Sequence, residues 1–261
     1  MSAEKIAFFG GIYSNAPALE AALAVARRRG AARIYALGDF GAFGPHPDRV
    51  FPLLREPDVL AIQGNYEESL VGGAEDCGCG YTDPRDNHFA QISYAYTAEK
   101  TSPEFVRWMA TLPKERRLEA GGRKVLLVHG SPRRINEFLF ASTSPVAFLE
   151  RLLSEHDADV LVCTHTGLHW QRRLPSGRRV VNAGALGRPA NDGRTNVWYA
   201  ELSFGEKLEV EFVPVAYDHE GLARDMETER LPAEFVETIR TGWWTSCLEI
   251  LPARERARGR Y

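Results

Sequence analysis

Four short apolar runs in this chain each stop abruptly at a polar, chemically capable side chain. RIYALGD closes on Gly38 and Asp39, VLAIQGN on Gly64 and Asn65, VLLVHGSP on His129 to Pro132, and VLVCTH on Thr164 and His165. Continuous apolar runs of this length, bounded by turn residues, predict strands buried on both faces. The C-terminal ends of such strands are where α/β sheets present their chemistry.

The rest of the pattern supplies the elements between them. KIAFFG predicts a first strand, followed by a helix over ALEAALAVARRR that Asn15 or Ser14 can cap, with Pro17 in its first turn and Gly30 at its end. A helix begun near Asp48 separates the next two strands, and strand, helix, strand, helix, strand argues for parallel pairing with right-handed crossovers. Periodicity then lapses from Leu70 to about Asn87, predicting a long loop within about 70–90. Helices follow around HFAQISYAYTAEK and from Ser102. Gly121-Gly122, Ser176-Gly177 and Gly205 each sit between apolar runs as hairpin turns. SPVAFLERLLSEH reads as a helix before VLVCTH, and two short helices occupy about 219–250. The expected fold is α/β: one domain over residues 1–261, with two sheets flanked by helices, the first half mainly parallel and the last part antiparallel.

Composition narrows the setting. The 261 residues are 44% apolar with a net charge of −3, which supplies a core and gives no general attraction to nucleic acid or acidic membranes. The end ARERARGRY is basic and reads as a solvated terminus. Four cysteines, Cys77, Cys79, Cys163 and Cys247, are too few and too scattered for a disulfide framework, which favours a reducing cytoplasm. IAFFGGIY faintly imitates a signal peptide, but Ser14, Asn15 and Pro17 interrupt it. No run reaches the ~20 apolar residues of a spanning helix. The expected location is the cytoplasm.

Asp39, Asn65, His129 and His165 offer a carboxylate, an amide oxygen and two imidazoles. That mixture suits a divalent transition metal, Mn, Fe or Zn, better than the all-oxygen shells of magnesium or calcium. His, Asp and Asn are also common in turns, so the weight rests on all four following buried strands in an order separated by βα units.

In that order the motifs resemble the calcineurin-like metallophosphoesterase superfamily, in particular its small bacterial phosphodiesterase-like members. The likeness covers about residues 5–215 and includes SNAPALEAAL, GAFGPHPDRV, LLVHGSP and VVNAGALGRP with Asn182. It implies a two-sheet β-sandwich with helices outside and two metals bridged by the aspartate of GD. By that resemblance one metal falls to Asp39, Asn65, His129 and His165, all present. The other relies, apart from Asp39, on positions that are Gly11, Tyr13 and Gly167 here. The family histidine that contacts phosphate and assists the leaving group is Tyr66, a poorer proton donor near neutrality.

The resemblance therefore implies a metal-dependent phosphoric ester hydrolase acting on a phosphomonoester or phosphodiester, with about one metal per chain and Asp39 and Tyr66 at the reacting centre. Substitute ligands for the depleted site are Tyr13, His169 and His46. Arg133, Arg134, Arg188 and Asn182 are candidates for gripping phosphate. The expected partner is a small phosphorylated substrate, with no nucleic-acid surface and no membrane; Trp243 and Trp244 are packing residues or part of a homo-oligomer contact. The alternative is a binding or regulatory protein that kept the pocket and lost turnover. Cys77 and Cys79 form a CxC pair, read as an ordered cap near the site, with soft-metal or redox chemistry as the competing reading.

Overall fold

A computed structural model describes residues 3–257; the last four residues of the basic ARERARGRY stretch lie outside the described residues. In chain order the strands are β1 (Glu4–Phe9), β2 (Arg33–Ala36), β3 (Val59–Ala61), β4 (Glu115–Ala120), β5 (Arg123–Val128), β6 (Val160–Cys163), β7 (His169–Arg173), β8 (Arg179–Ala183), β9 (Val197–Phe204) and β10 (Leu208–Val215). The helices are α1 (Ala16–Arg28), α2 (Phe51–Leu54), α3 (Asn65–Gly72), α4 (Pro84–Lys100), α5 (Pro103–Met109), α6 (Val146–Glu155), α7 (His219–Thr228), α8 (Ala233–Thr241) and α9 (Ala253–Arg256). Asn15 caps α1 by accepting the Ala18 amide at 3.0 Å, with Pro17 in the first turn.

Two five-stranded sheets run β10-β9-β1-β2-β3 and β4-β5-β6-β8-β7. Within the first, β1, β2 and β3 are parallel, and β9 lies antiparallel to both β1 and β10. The second is parallel through β5, β6 and β8, with β4 and β7 antiparallel at its edges. Each sheet is thus mixed, as expected of the two-sheet fold: the early strands β1, β2 and β3 pair parallel and the late hairpins β7–β8 and β9–β10 antiparallel, shared between the two sheets. The hairpin turns are local, but the sheet that β9 joins is decided by burial at long range. Ala200, Leu202 and Phe204 of β9 pack with Ile6, Phe8, Leu127 and Val162 in the core between the sheets.

Each sheet also covers its outer face. Ala7, Phe9 and Ile34 pack against Leu19, Ala22 and Leu23 of α1, while Leu126, Leu161 and Cys163 pack against Leu149, Leu152 and Leu153 of α6. Burial on both faces is why the central strands read as unbroken apolar runs. The loop expected over about 70–90 is shorter at both ends. Helix α3 begins directly at Asn65, and Asp83 starts α4 early by accepting the Arg85 amide at 2.8 Å. No helix among the described residues is long and apolar enough to cross a membrane.

The strand ends of the two sheets converge. A parallel bridge joins Gly11 to Ala185, the Gly11 amide donates to Thr164 Oγ1 at 3.3 Å, and Thr164 in turn donates to the Gly184 carbonyl. A Cβ on Gly10 would stand 1.7 Å from the Gly184 oxygen, so the approach requires glycine there. Gly10→Ala is expected to cost about 3 kcal/mol through overpacking of backbone against backbone. Urea unfolding measures it, and a loss near zero would show that the two strand ends do not need this contact.

Candidate metal centre

The GD and GN turns are assembled as one unit. Gly38 has φ +91°, and a Cβ on it would meet the Gly64 nitrogen at 2.3 Å, so the ends of β2 and β3 touch through backbone alone. Glu67, buried in the first turn of α3, then gathers three backbone donors: Asp39 N at 2.7 Å, Phe40 N at 2.8 Å and Gly64 N at 2.7 Å. Its reach back to Gly64 is the acidic half of a capping box. Burial, followed by the charge of Asp39, raises the Glu67 carboxyl to about 7.

Asp39 is held in the left-handed region at φ +54° and His165 at φ +70°, conformations that non-glycine residues adopt only where the surroundings impose them. Asp39 Oδ1 accepts the Tyr66 amide at 3.2 Å, while Oδ2 lies 3.2 Å from His129 Nε2. His129 Nδ1 lies 2.7 Å from the Leu37 carbonyl, a contact that needs the proton on Nδ1. Its Nε2 therefore turns a lone pair toward Asp39 and toward His165 Nδ1, 3.1 Å away, unless a proton or a cation lies between them.

Burial alone would favour neutral His129 and neutral Asp39; their mutual attraction outweighs it, raising the imidazole and lowering the carboxyl. His165, penalised by burial and then by His129, is pushed down to about 3 and stays neutral. The donor atoms of Asp39, His129 and His165 lie within 4.8 Å of one another. Asn65 stands at the start of α3, directly before Tyr66, whose amide Asp39 accepts. Its Nδ2 donates to the Cys77 carbonyl at 2.8 Å, which fixes the amide and leaves Oδ1 buried with no hydrogen-bond partner. A buried oxygen without a donor beside an anionic, nitrogen-rich cluster is the setting a divalent cation completes. The residues present fit such an ion.

The depleted side is filled by side chains. A Cβ on Gly11 would lie 2.5 Å from the Tyr13 ring, and one on Gly167 would lie 2.6 Å from the Trp244 ring. Burial, then the charge of Asp39, raises the Tyr13 phenol well above its ordinary range. The other substitute ligands lie elsewhere. His46 faces Glu229 at 4.0 Å, and His169 packs on β7 against Trp198 and Phe212, with ring centres 4.9 and 4.6 Å away.

A cavity of about 50 Å³ borders the cluster, lined by Tyr13, Asp39, Tyr66, His165, Arg188 and Cys247 among others. Arg188 is 5% exposed, with its guanidinium carbon 3.8 Å from the centre of the Trp244 ring and one terminal nitrogen donating to the Ser246 carbonyl at 2.6 Å. Its Nε has no partner, and it forms no ion pair among the described residues. Tyr66 donates to Ser93 at 3.0 Å, and burial raises its phenol, keeping it a neutral donor.

Arg133 is placed outside this cavity, paired with Glu137 at 3.3 Å over the Phe148 ring; Arg134 lies beside it on the same surface groove. Asn182 is committed to backbone, to Thr164 O at 2.9 Å and Gly184 N at 2.9 Å. Cys77 and Cys79 are joined in a disulfide, a cross-link internal to one loop, while Cys163 and Cys247 are free and buried. Sequence reasoning missed the role of Glu67, whose signal was its position three residues after Gly64. Trp244, read as a packing residue or an oligomer contact, is buried as packing against Gly167 and Arg188, a placement that carried no local signal.

A two-sheet α/β sandwich with a carboxylate, an amide and two imidazoles at converging strand ends is the architecture of a metal-dependent phosphoesterase scaffold. The chain belongs to the calcineurin-like phosphoesterase superfamily, whose domain model matches residues 5–204. It is 27% identical over 247 residues to an uncharacterised protein of Methanocaldococcus jannaschii, covering 91% of this chain and 98% of that protein. In fold it is similar to a hypothetical protein from Pyrococcus horikoshii, with TM-score 0.76 and 23% identity over 92% of this chain and 99% of the other. A metallophosphoesterase from Sphaerobacter thermophilus gives TM-score 0.70 and 24% identity over the same shares, 92% and 99%.

Glu67→Gln tests the clamp. The amide turns N–H groups toward backbone N–H groups, so the variant should lose about 2 kcal/mol in urea unfolding at pH 8. Because the folded-state carboxyl is raised to about 7, native protein binds more protons than unfolded chain above the ordinary carboxyl range. The stability from protonated Glu67 is complete at low pH and lost as pH rises through about 7, a fall the variant should not show.

Proposed function

We propose that this chain is a one-metal phosphoric ester hydrolase, its ion held by Asp39, Asn65, His129 and His165. The observation that carries the reading is the unpartnered Asn65 Oδ1 beside the Asp39, His129 and His165 cluster, set against a second metal position occupied by the Tyr13 and Trp244 rings. A divalent ion there supplies charge to polarise a phosphoryl group and to acidify water.

The chain's own residues account for the rest. Arg188, a buried guanidinium with no carboxylate against it, offers a fixed positive charge on the side where the second metal is lacking. Tyr66 has one O–H, given to Ser93, so it orients a phosphate only by exchanging that partner for a phosphate oxygen; burial raises the phenol, which does not change protonation near neutrality. The aromatic walls Phe43, Phe89 and Phe235 exclude water and strengthen both contacts. At about 50 Å³ the cavity holds on the order of three or four waters, room for a phosphoryl group.

The filled second position also supports the non-catalytic alternative, in which the chain binds phosphate without turning it over. Metal content and hydrolysis separate the two. Protein purified without chelators should carry about one Mn, Fe or Zn per chain, and Asp39→Ala and His129→Ala should lose both metal and hydrolysis. Since the Asp39 carboxylate favours protonated His129, which takes its proton from solvent as pH falls, metal affinity should drop about tenfold per unit below the raised His129 value. Hydrolysis unchanged in Asp39→Ala would sink the assignment. Phosphate binding with no turnover of any small ester under Mn, Fe or Zn leaves the binding protein.

Arg188→Gln should weaken competitive inhibition by inorganic phosphate about 10- to 100-fold, the loss of one charge-assisted hydrogen bond. An unchanged inhibition constant would assign the guanidinium to packing.

A further inference from the structure

The segment between α3 and α4 is pinned over the metal cluster from two directions. Tyr94 and Gln91 of α4 donate to the carbonyls of Ala74 and Glu75 at 2.9 and 3.0 Å, and Asn136, beyond β5, donates to the Gly78 carbonyl at 2.8 Å. At its centre the Cys77–Cys79 disulfide is 4% and 9% exposed at its two residues. The two cysteines play different parts. Cys77 uses its carbonyl to hold the Asn65 amide, whereas Cys79 places its sulfur 3.4 Å from Asn65 Nδ2 and lines the same cavity as Asp39 and His165.

We propose that this disulfide is a reversible cap whose reduction turns Cys79 into an additional ligand of the metal held by Asp39, Asn65, His129 and His165. The inference rests on the metal centre proposed above. A thiolate joining two imidazoles, a carboxylate and an amide oxygen changes the preference of the site, because sulfur favours zinc, iron and cobalt over manganese.

The chemistry balances with a dithiol as reductant. Its two electrons and two protons break the sulfur–sulfur bond and leave two thiols, while the dithiol becomes a disulfide. On binding the ion, Cys79 releases its proton to water as the sulfur–metal bond forms, and Cys77 remains a thiol.

The test uses the full chain and cobalt(II) as the probe. Protein is oxidised with diamide, or reduced with a dithiol and desalted without oxygen, then titrated with cobalt while visible and near-ultraviolet absorption are followed. Cobalt d–d bands in both states report the metal centre. A sulfur-to-cobalt charge-transfer band is expected only after reduction, absent in Cys79→Ser, and present without reductant in Cys77→Ser. Reduced wild type should bind zinc about 10- to 100-fold more tightly than reduced Cys79→Ser, with manganese affinity little changed. Bands without charge transfer in the reduced protein overturn the proposal and leave the metal centre standing. A charge-transfer band that survives Cys79→Ser and disappears in Cys247→Ser overturns it in favour of the other cavity thiol. No cobalt bound in either state overturns both readings.

Discussion

The carboxylate of Glu67 is the contact on which the site depends. The ends of β2 and β3 must lie backbone to backbone for Asp39 and Asn65 to share a centre, and Gly38 and Gly64 permit that approach without enforcing it. Enforcement comes from one buried acid that accepts Asp39 N, Phe40 N and Gly64 N together. Left unpaired, each of those donors would cost of order 1–3 kcal/mol in the interior. Because one side chain satisfies all three, strand ends that hydrophobic burial places only roughly are tied to within hydrogen-bond tolerance. The left-handed conformation of Asp39 is then tolerable, since its amide has nowhere else to go.

Charge is distributed around that anchor by the same economy of burial. Asp39 and His129 stabilise each other's charged forms, His165 is held neutral, and Glu67 is pushed up by burial and then by the charge of Asp39. Two carboxylates thus share one buried neighbourhood, with only one readily ionised. On the far side of the cavity Arg188 stacks on Trp244, where a weakly hydrated guanidinium loses less on leaving water than an ammonium would. The interior holds a positive charge without a carboxylate partner, a costly arrangement that an anionic ligand would offset.

Much of this was legible in the residues, for physical reasons that also mark where legibility stops. Strands buried on both faces leave unbroken apolar runs, so β2, β3, β5 and β6 and the side chains at their ends could be read directly. Helix α3 escaped notice because it is short and its interior is NYEESLVG, with few apolar positions to show a period. The sheet joined by β9 could not be read, because strand pairing across most of the chain leaves no local trace. Trp244 is the extreme case. It lies 77 positions beyond Gly167 by sequence number (244 − 167) and still fills the space in front of it, so absent ligands were visible and the ring replacing them was not.

That replacement changes what the missing ligands mean. Had Gly11 and Gly167 faced open space, adding the aspartate and histidine of the family pattern would be a matter of chemistry alone. Instead each new Cβ would enter an aromatic ring at 2.5 or 2.6 Å, and Trp244 is tied in place by Nε1 donating to the Pro189 carbonyl at 2.6 Å and its backbone amide donating to Asn191 at 2.8 Å. Gly167, moreover, sits at φ +72°, so any side chain there carries backbone strain as well. A second metal would require Tyr13 and Trp244 to be cut away together with the gain of ligands. Removing Trp244 alone would strip the surface on which Arg188 rests. The glycines, the two rings and the guanidinium are therefore one packed unit, and packing, as much as the absent ligands, sets those positions apart from the Asp39, His129 and His165 cluster.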